Sequence, residues 1–258
     1  MAEVEVRAPG AFCWVEVASQ DARKTVPFYR DLFGWAVREA PMPQGTYYLL
    51  EREGNEVAGL YDLMPIQREQ GVPAHWLPYV LVASCDEALE RAEEFGGKVL
   101  MGPHDVMEHG RMGVIQDPTG AVLAVWQAHE PSTAPMGVPG TPCWFELVSR
   151  DKVEATAFYS ALFGWELETW DEGMDYTLFK NGEMSVGGAM QCLPEMGDLP
   201  SHWMTYVAVE NTDRAAQRAA ELGGQIVHPP TDIPNVGRFA VIADPDGAIF
   251  SLMAFASA

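Results

Sequence analysis

The sequence predicts an α+β chain built from two copies of one domain, each copy holding two βαβββ units. Three observations predict it. Residues 13–35, CWVEVASQDARKTVPFYRDLFGW, return at residues 143–165 as CWFELVSRDKVEATAFYSALFGW, with eleven of the 23 positions identical. A second block, AHWLPYVLVASCDEALERAEEFGGKV from Ala74, returns in the same order as SHWMTYVAVENTDRAAQRAAELGGQI from Ser201. The duplicated unit is therefore about half the chain rather than a short motif. Within each half, the pattern of strand, helix and then extended segments itself runs twice.

The elements follow in order. Residues 12–18 alternate as a strand does, and Ser19 with Asp21 offers cap-type side chains before a helical pattern that ends at Gly34. Pro27 stands early in that helix, where the missing N–H costs least. Extended pieces around Tyr47–Glu51 and Val57–Tyr61 are separated by Pro-Gln-Gly and Glu-Gly-Asn turns. His75–Val82 reads as a strand and Asp86–Phe95 as an amphipathic helix stopped by Gly96-Gly97, a left-handed cap signal. Further strands gather around Val99, Val114 and Val122, the last two joined by Asp117-Pro-Thr-Gly120, which suits a type I turn.

Residues 129–141 lack periodicity and are rich in Pro, Gly, Ser and Thr, so they read as a linker between a first domain at 11–128 and a second at 142–255. The second half repeats the plan. A helix spans Asp151–Phe163, strands fill Trp165 to Met190, a strand covers His202–Val209, and a helix over Asp213–Leu222 closes on Gly223-Gly224. The last hairpin turns at Asp244-Pro-Asp-Gly247.

Composition narrows the partners. Lys and Arg total 16 against 37 Asp and Glu, a formal charge of −21, which repels phosphate backbones and anionic lipid and argues against nucleic-acid and membrane roles. The four cysteines, at 13, 85, 143 and 192, show neither C-x-x-C pairing nor disulfide-framework density. Residues 1–10, MAEVEVRAPG, lack the basic and apolar regions of a leader. A cytoplasmic protein with free thiols is expected.

A strand ending in Asp, a helix finishing FYxxLFGW, a strand running into a helix that ends in Gly-Gly, and a closing D-P-x-G hairpin together resemble the vicinal oxygen chelate superfamily. That superfamily holds the glyoxalases, bleomycin-resistance proteins and extradiol dioxygenases. The HW strand and the GR(M/F)xVIxDPxGA ending look most like tandem glyoxalase-like proteins of actinobacterial type. The resemblance implies tandem duplicated glyoxalase-like domains, four βαβββ units forming two cup-shaped mixed sheets with a ligand inside each cup. In metal-using members it also implies three ligands, from the first, fifth and eighth strands of a domain. Those positions carry Trp14, Leu77 and Ala124 in one half and Trp144, Met204 and Ser251 in the other. Indole, thioether and aliphatic groups do not replace the water of a hard divalent ion, so no cofactor is expected.

Two polar residues recur beside these positions. Glu16 lies two residues after Trp14, and His75 two before Leu77, so each shares a strand face with its neighbour. Glu16 with His75, and Glu146 with His202, are the candidate catalytic groups, expected within hydrogen-bond reach of each other. Each pair either satisfies itself, which a buried carboxylate requires, or orients a ligand or acts as a general base. Trp14 and Trp144 offer aromatic walls, or plain core packing. Gly59 and Gly188, on matching strands, admit the close approach of a ligand or of backbone. Arg111 and Arg238 are expected to pair with local carboxylates, and His104, His109, His129 and His228 to lie on the surface.

The function expected is small-molecule binding: a metal-free protein of glyoxalase/bleomycin-resistance type that takes an apolar or aromatic compound, for sequestration or resistance. The alternatives are a lyase, isomerase or dioxygenase using a divalent metal or the Glu-His pairs, and a structural or regulatory protein with closed cups. A monomer and a homodimer both fit.

Overall fold

The computed structural model describes residues 6–42, 45–170 and 175–256. Residues 1–5, part of the leader argument, and Pro43-Gln44, part of the first expected turn, lie outside them. The first half holds β1 (Phe12–Ser19), α1 (Ala22–Phe33), β2 (Ala36–Met42), β3 (Gly45–Arg52) and β4 (Asn55–Asp62). It continues with a short α2 (Pro65–Glu69), β5 (His75–Leu81), α3 (Cys85–Glu94), β6 (Lys98–Val106), β7 (Gly110–Gln116) and β8 (Val122–Ala128). The second half repeats this as β9 (Pro142–Ser149), α4 (Lys152–Phe163), β10 (Glu166–Trp170), β11 (Tyr176–Asn181) and β12 (Met184–Gln191). After a 3₁₀ turn at Pro194–Met196 come β13 (His202–Ala208), α5 (Thr212–Glu221), β14 (Gln225–Ile233), β15 (Gly237–Ala243) and β16 (Ile249–Phe255). The expected order holds in all four units. The two short helical pieces were not foreseen, because five or fewer residues carry no periodicity to read.

Local chemistry explains the boundaries. Asp21 Oδ1 accepts from Lys24 N at 3.3 Å, and Asp151 Oδ1 from Glu154 N at 2.9 Å, so each long helix starts on a carboxylate cap. Each ends on a left-handed glycine, Gly34 at φ 69° and Gly164 at φ 75°.

The strands form two eight-stranded mixed sheets, ordered β2-β3-β4-β1-β5-β8-β7-β6 and β10-β11-β12-β9-β13-β16-β15-β14. The pairs β1–β4, β5–β8, β9–β12 and β13–β16 run parallel while the hairpins are antiparallel. Compactness divides the chain differently. Among the described residues, one unit takes those within 1–13, 78–133 and 145–204, and the other those within 14–77, 134–144 and 205–258. Each unit thus takes one βαβββ module from each half of the sequence.

The repeated motifs are what tie these modules. In one unit the Tyr29 hydroxyl donates to Asp244 Oδ2 at 2.8 Å and accepts from the Trp76 indole N–H at 3.0 Å, while the Trp35 indole donates to the Gly140 carbonyl at 2.8 Å. A Cβ on Gly224 would stand 2.8 Å from the Ala243 carbonyl and 2.9 Å from the Phe28 ring, so the second glycine of the step leaves room for both. The other unit repeats the arrangement with Trp203 to Tyr159 at 2.9 Å, Trp165 to the Gly10 carbonyl at 2.8 Å, and the Phe158 ring against Gly97. Trp35, Trp165, Tyr29 and Tyr159 are among the largest fully buried side chains, and burying each aromatic body contributes on the order of 2–3 kcal/mol.

Arg111 pairs with Asp86 and Asp105, and Arg238 with Asp213 and Asp232, as expected of local carboxylates. All four cysteines are free thiols, and burial pushes Cys13 up to about 12. No described helix is long and apolar enough to cross a membrane.

Candidate functional site

On β1 the residues alternate between fully buried Val15 and Val17 and half-buried Trp14 and Glu16, so one strand face is turned to a less enclosed side. The parallel register sets Glu16 beside Gly59 of β4, and the antiparallel β3–β4 register sets Tyr47 opposite Tyr61. A Cβ on Gly59 would lie 1.8 Å from the Tyr47 hydroxyl. The glycine is therefore a slot through which the phenol crosses β4 to reach β1. There the Tyr47 hydroxyl donates to Glu16 Oε1 at 2.6 Å and accepts from the Trp14 indole N–H at 3.2 Å.

Electrostatics fixes the direction of this chain. Burial first, and then the Glu16 charge, hold the Tyr47 phenol well above its ordinary value, so it stays protonated and donating. Tyr61 stacks on Tyr47 with ring centroids 6.4 Å apart and is raised by the same two causes. Glu16 is thereby held as a hydrogen-bond-accepting carboxylate on an aromatic platform.

The structure corrects the expected Glu16–His75 pairing by giving each group a partner of its own. His75 follows Pro73 at the opening of β5, and its ring folds back so that Nδ1 donates to the Pro73 carbonyl at 2.8 Å. His202 does the same with the Pro200 carbonyl at 2.8 Å. Burial lowers the pKa of both imidazoles against the smaller opposing effect of that bond, which favours the neutral ring. Trp76 points to α1 through Tyr29, so His75, Leu77 and Tyr79 occupy the opposite face of β5.

In the second half Gly188 lies beside Glu146, and a Cβ on it would stand 2.3 Å from the Tyr176 ring. The slot recurs, but Met190 stands where Tyr61 stood. Trp144 is half-buried on β9. Tyr47 and Tyr176 were not among the expected site residues, although each stands two places from the residue that pairs with a strand glycine and recurs in both halves, which is the signal that would have found them.

The three strand positions that the resemblance implies as metal ligands carry indole, isobutyl and methyl groups in the first half, and indole, thioether and hydroxyl groups in the second. This donor set does not fit a hard divalent ion. Among the described residues no group of three or more His, Cys, Asp or Glu is placed to hold a metal.

Comparison with known proteins places the architecture. The chain is 38% identical over 245 residues, 93% of each chain, to CFP32 of Mycobacterium tuberculosis, a protein named only provisionally as a glyoxylase. It is 35% identical over 259 residues to the anthracycline biosynthesis protein DnrV of Streptomyces peucetius, covering 95% of this chain and 94% of that one. Its fold matches the Mn(II)-bound glyoxalase of Novosphingobium aromaticivorans with a TM-score of 0.67 at 15% identity, over 95% of this chain and 82% of that one. It matches the 2,3-dioxygenase LapB of Pseudomonas sp. KL28 with a TM-score of 0.67 at 12% identity, over 98% and 94% of the two chains. The model of one family matches twice, at residues 12–125 and 143–252, and the chain belongs to that family, the Glyoxalase/Bleomycin resistance protein/Dioxygenase superfamily.

Proposed function

We propose that the protein binds a flat, largely apolar small molecule against the Trp14–Tyr47–Glu16 face without a metal ion, in a sequestering or resistance role. The observation that carries this reading is the substitution of one kind of anchor for another. Positions that bear ligands in metal-using relatives bear an indole and aliphatic groups here, while the adjoining Glu16 is held by a directed Trp14-to-Tyr47-to-Glu16 chain. An indole wall gives a planar ring a stacking surface, and an oriented carboxylate gives it one polar contact, the usual composition of a small-molecule site. The relative named for anthracycline biosynthesis supports a polycyclic aromatic ligand class.

Titration with an anthraquinone probe, followed by tryptophan fluorescence and calorimetry, tests the reading. Trp14→Ala is expected to weaken binding by about tenfold, equivalent to ~1.4 kcal/mol for a lost stacking contact, and prior treatment with a chelator should leave affinity unchanged. Binding that needed added Mn²⁺ or Fe²⁺ would overturn it.

A second reading draws on the same geometry. Glu16, with a protonated phenol 2.6 Å away, is arranged as a carboxylate base with a proton donor beside it, the requirement of a metal-free lyase or isomerase. Retained binding with turnover lost in Glu16→Gln is the outcome that favours it.

A further inference from the structure

A groove beside α1 follows from two periodicities. On α1, Arg23, Val26, Pro27 and Arg30 are spaced as one helical stripe, and on β2 Val37 and Glu39 stand two apart and share a strand face. The β2–β3 register sets Glu39 opposite Tyr48, which brings the Tyr48 ring onto that same face. Stripe and strands border an open cavity of about 400 Å³, within the range of about 300–1,000 Å³ of small-molecule sites. All of these residues belong to one compact unit. Tyr48 follows Tyr47, so strand alternation turns it to the other side of the sheet from the Trp14–Glu16 face.

Three groups in this cavity are left for a partner. The Tyr48 side chain is only 8% exposed, yet its hydroxyl makes no hydrogen bond among the described residues, whereas a buried phenol ordinarily has one. Arg23 and Glu39 are exposed, and their side chains pair neither with each other nor with any described residue. Both act on the phenol. Burial first, then Glu39 and Asp62, raise Tyr48 above its ordinary value against the smaller opposing effect of Arg23, so it stays a proton donor. Arg30 is already committed, forking onto Asp31 at 2.6 and 2.9 Å. Between the charges the lining is apolar, from Val26, Pro27 and Val37.

This charge pattern selects a ligand. A neutral apolar molecule would take water from Arg23 and Glu39 and replace none of its hydrogen bonds. A simple anion is repelled by Glu39 and by the formal charge of −21, and a simple cation by Arg23. A molecule that carries both signs satisfies both side chains. In the second half the corresponding positions hold Val153 and Ser160 on α4 and the cross-strand pair Thr169–Thr177, so the pattern is not repeated. We propose that the groove binds a small amino acid with an apolar side chain. Its carboxylate meets the Arg23 guanidinium and the Tyr48 hydroxyl, its ammonium meets Glu39, and its side chain lies on Val26, Pro27 and Val37.

Ligand-observed NMR titration with three probes that share one branched chain tests this: L-leucine, 4-methylpentanoate, which lacks the ammonium, and 3-methylbutylamine, which lacks the carboxylate. Leucine should bind the intact chain about tenfold tighter than either analogue. Arg23→Gln is expected to weaken leucine about tenfold and leave 3-methylbutylamine within about twofold, while Glu39→Gln weakens leucine as much and leaves 4-methylpentanoate unchanged or tighter. Tyr48→Phe should weaken leucine and 4-methylpentanoate about threefold and spare the amine. Arg23 and Glu39 are exposed, so both glutamine variants should keep the parent melting temperature and their binding losses are read on folded protein. Equal binding of the three probes, leucine affinity indifferent to Arg23→Gln or to Glu39→Gln, or the absence of saturable leucine binding overturns the proposal. Competition between leucine and the anthraquinone probe also overturns it, because leucine would then sit at the Trp14–Glu16 face. Failure of the anthraquinone probe alone removes that face and leaves this groove standing.

Discussion

The two compact units are each tied by the same three motifs, yet their hairpins clasp differently. In the unit holding β1 and β16, the D-P-D-G hairpin supplies Asp246, whose Oδ2 accepts from Gln20 N at 2.9 Å, Asp21 N at 3.2 Å, Thr25 Oγ1 at 3.0 Å and the Ser19 hydroxyl. This carboxylate from the last module fastens the first turn of α1. In the other unit the hairpin reads D-P-T-G, and Thr119 offers a hydroxyl that accepts from Ser149 Oγ at 3.1 Å. The next layer is alike in the two units: Tyr29 donates to Asp244 Oδ2 at 2.8 Å, and the buried Asp117 carboxylate stands against the Tyr159 hydroxyl, whose pKa burial first and then that carboxylate raise. Duplication supplied two like joints, and divergence has put a second carboxylate, Asp246, into one hairpin where the other has Thr119.

That contrast can be broken by substitution. Asp246→Ala should be the costliest change, about 3 kcal/mol, because it removes one acceptor shared by two backbone N–H groups and two hydroxyls, while Thr119→Ala should cost under about 1 kcal/mol. Urea denaturation followed by tryptophan fluorescence compares them, and equal losses would erase the asymmetry. Next, Tyr29→Phe and Tyr159→Phe should each cost about 2 kcal/mol, since each takes the phenol from beside a buried aspartate, and unequal losses would place an asymmetry in this layer as well.

The smallest effect is on pH dependence. Burial raises the Asp246 pKa, but its hydrogen bonds from Ser19, Asp21, Thr25 and Gln20 outweigh that and lower it overall. Its contribution is therefore complete above the unfolded value of about 3.9 and is lost as pH falls through the lower folded value. Asp244 is raised, by burial first, so its contribution has the opposite sign, present below the unfolded value and lost as pH rises through the folded one. Asp246→Asn should flatten the acid limb of the stability curve below about pH 4, and an unchanged limb would assign the acid sensitivity elsewhere.

Much of the fold was legible because the residues that repeat are the ones that knot. Phe28, Tyr29, Trp35 and Trp76 each have a fixed contact to make, so their spacing survives in both halves. Which copy they contact was illegible for the same reason. Tyr29 could meet the Asp117 hairpin or the Asp244 hairpin, two nearly identical motifs, and only coordinates reveal that it takes the latter. At the site, Glu16 was visible from its place on β1 but its partner was not. Counting by twos along a strand brings every second group of each neighbouring strand onto one face, and Tyr47 arrives from beyond β4 through the gap left by Gly59. His75 was diverted by a carbonyl two residues upstream, a local preference stronger than cross-strand reach.

Each compact unit draws on both halves of the polypeptide. A gene truncated after the first repeat would therefore encode no finished body, only two complementary pieces, each lacking its mate. Such a fragment would complete itself by exchanging modules with a second fragment like itself, two short chains taking the places that the two halves take here. Fusion freed the copies from being identical, and the charged clasp at Asp246 and the hydroxyl at Ser251 are differences that a symmetric pair could not have kept on one side only.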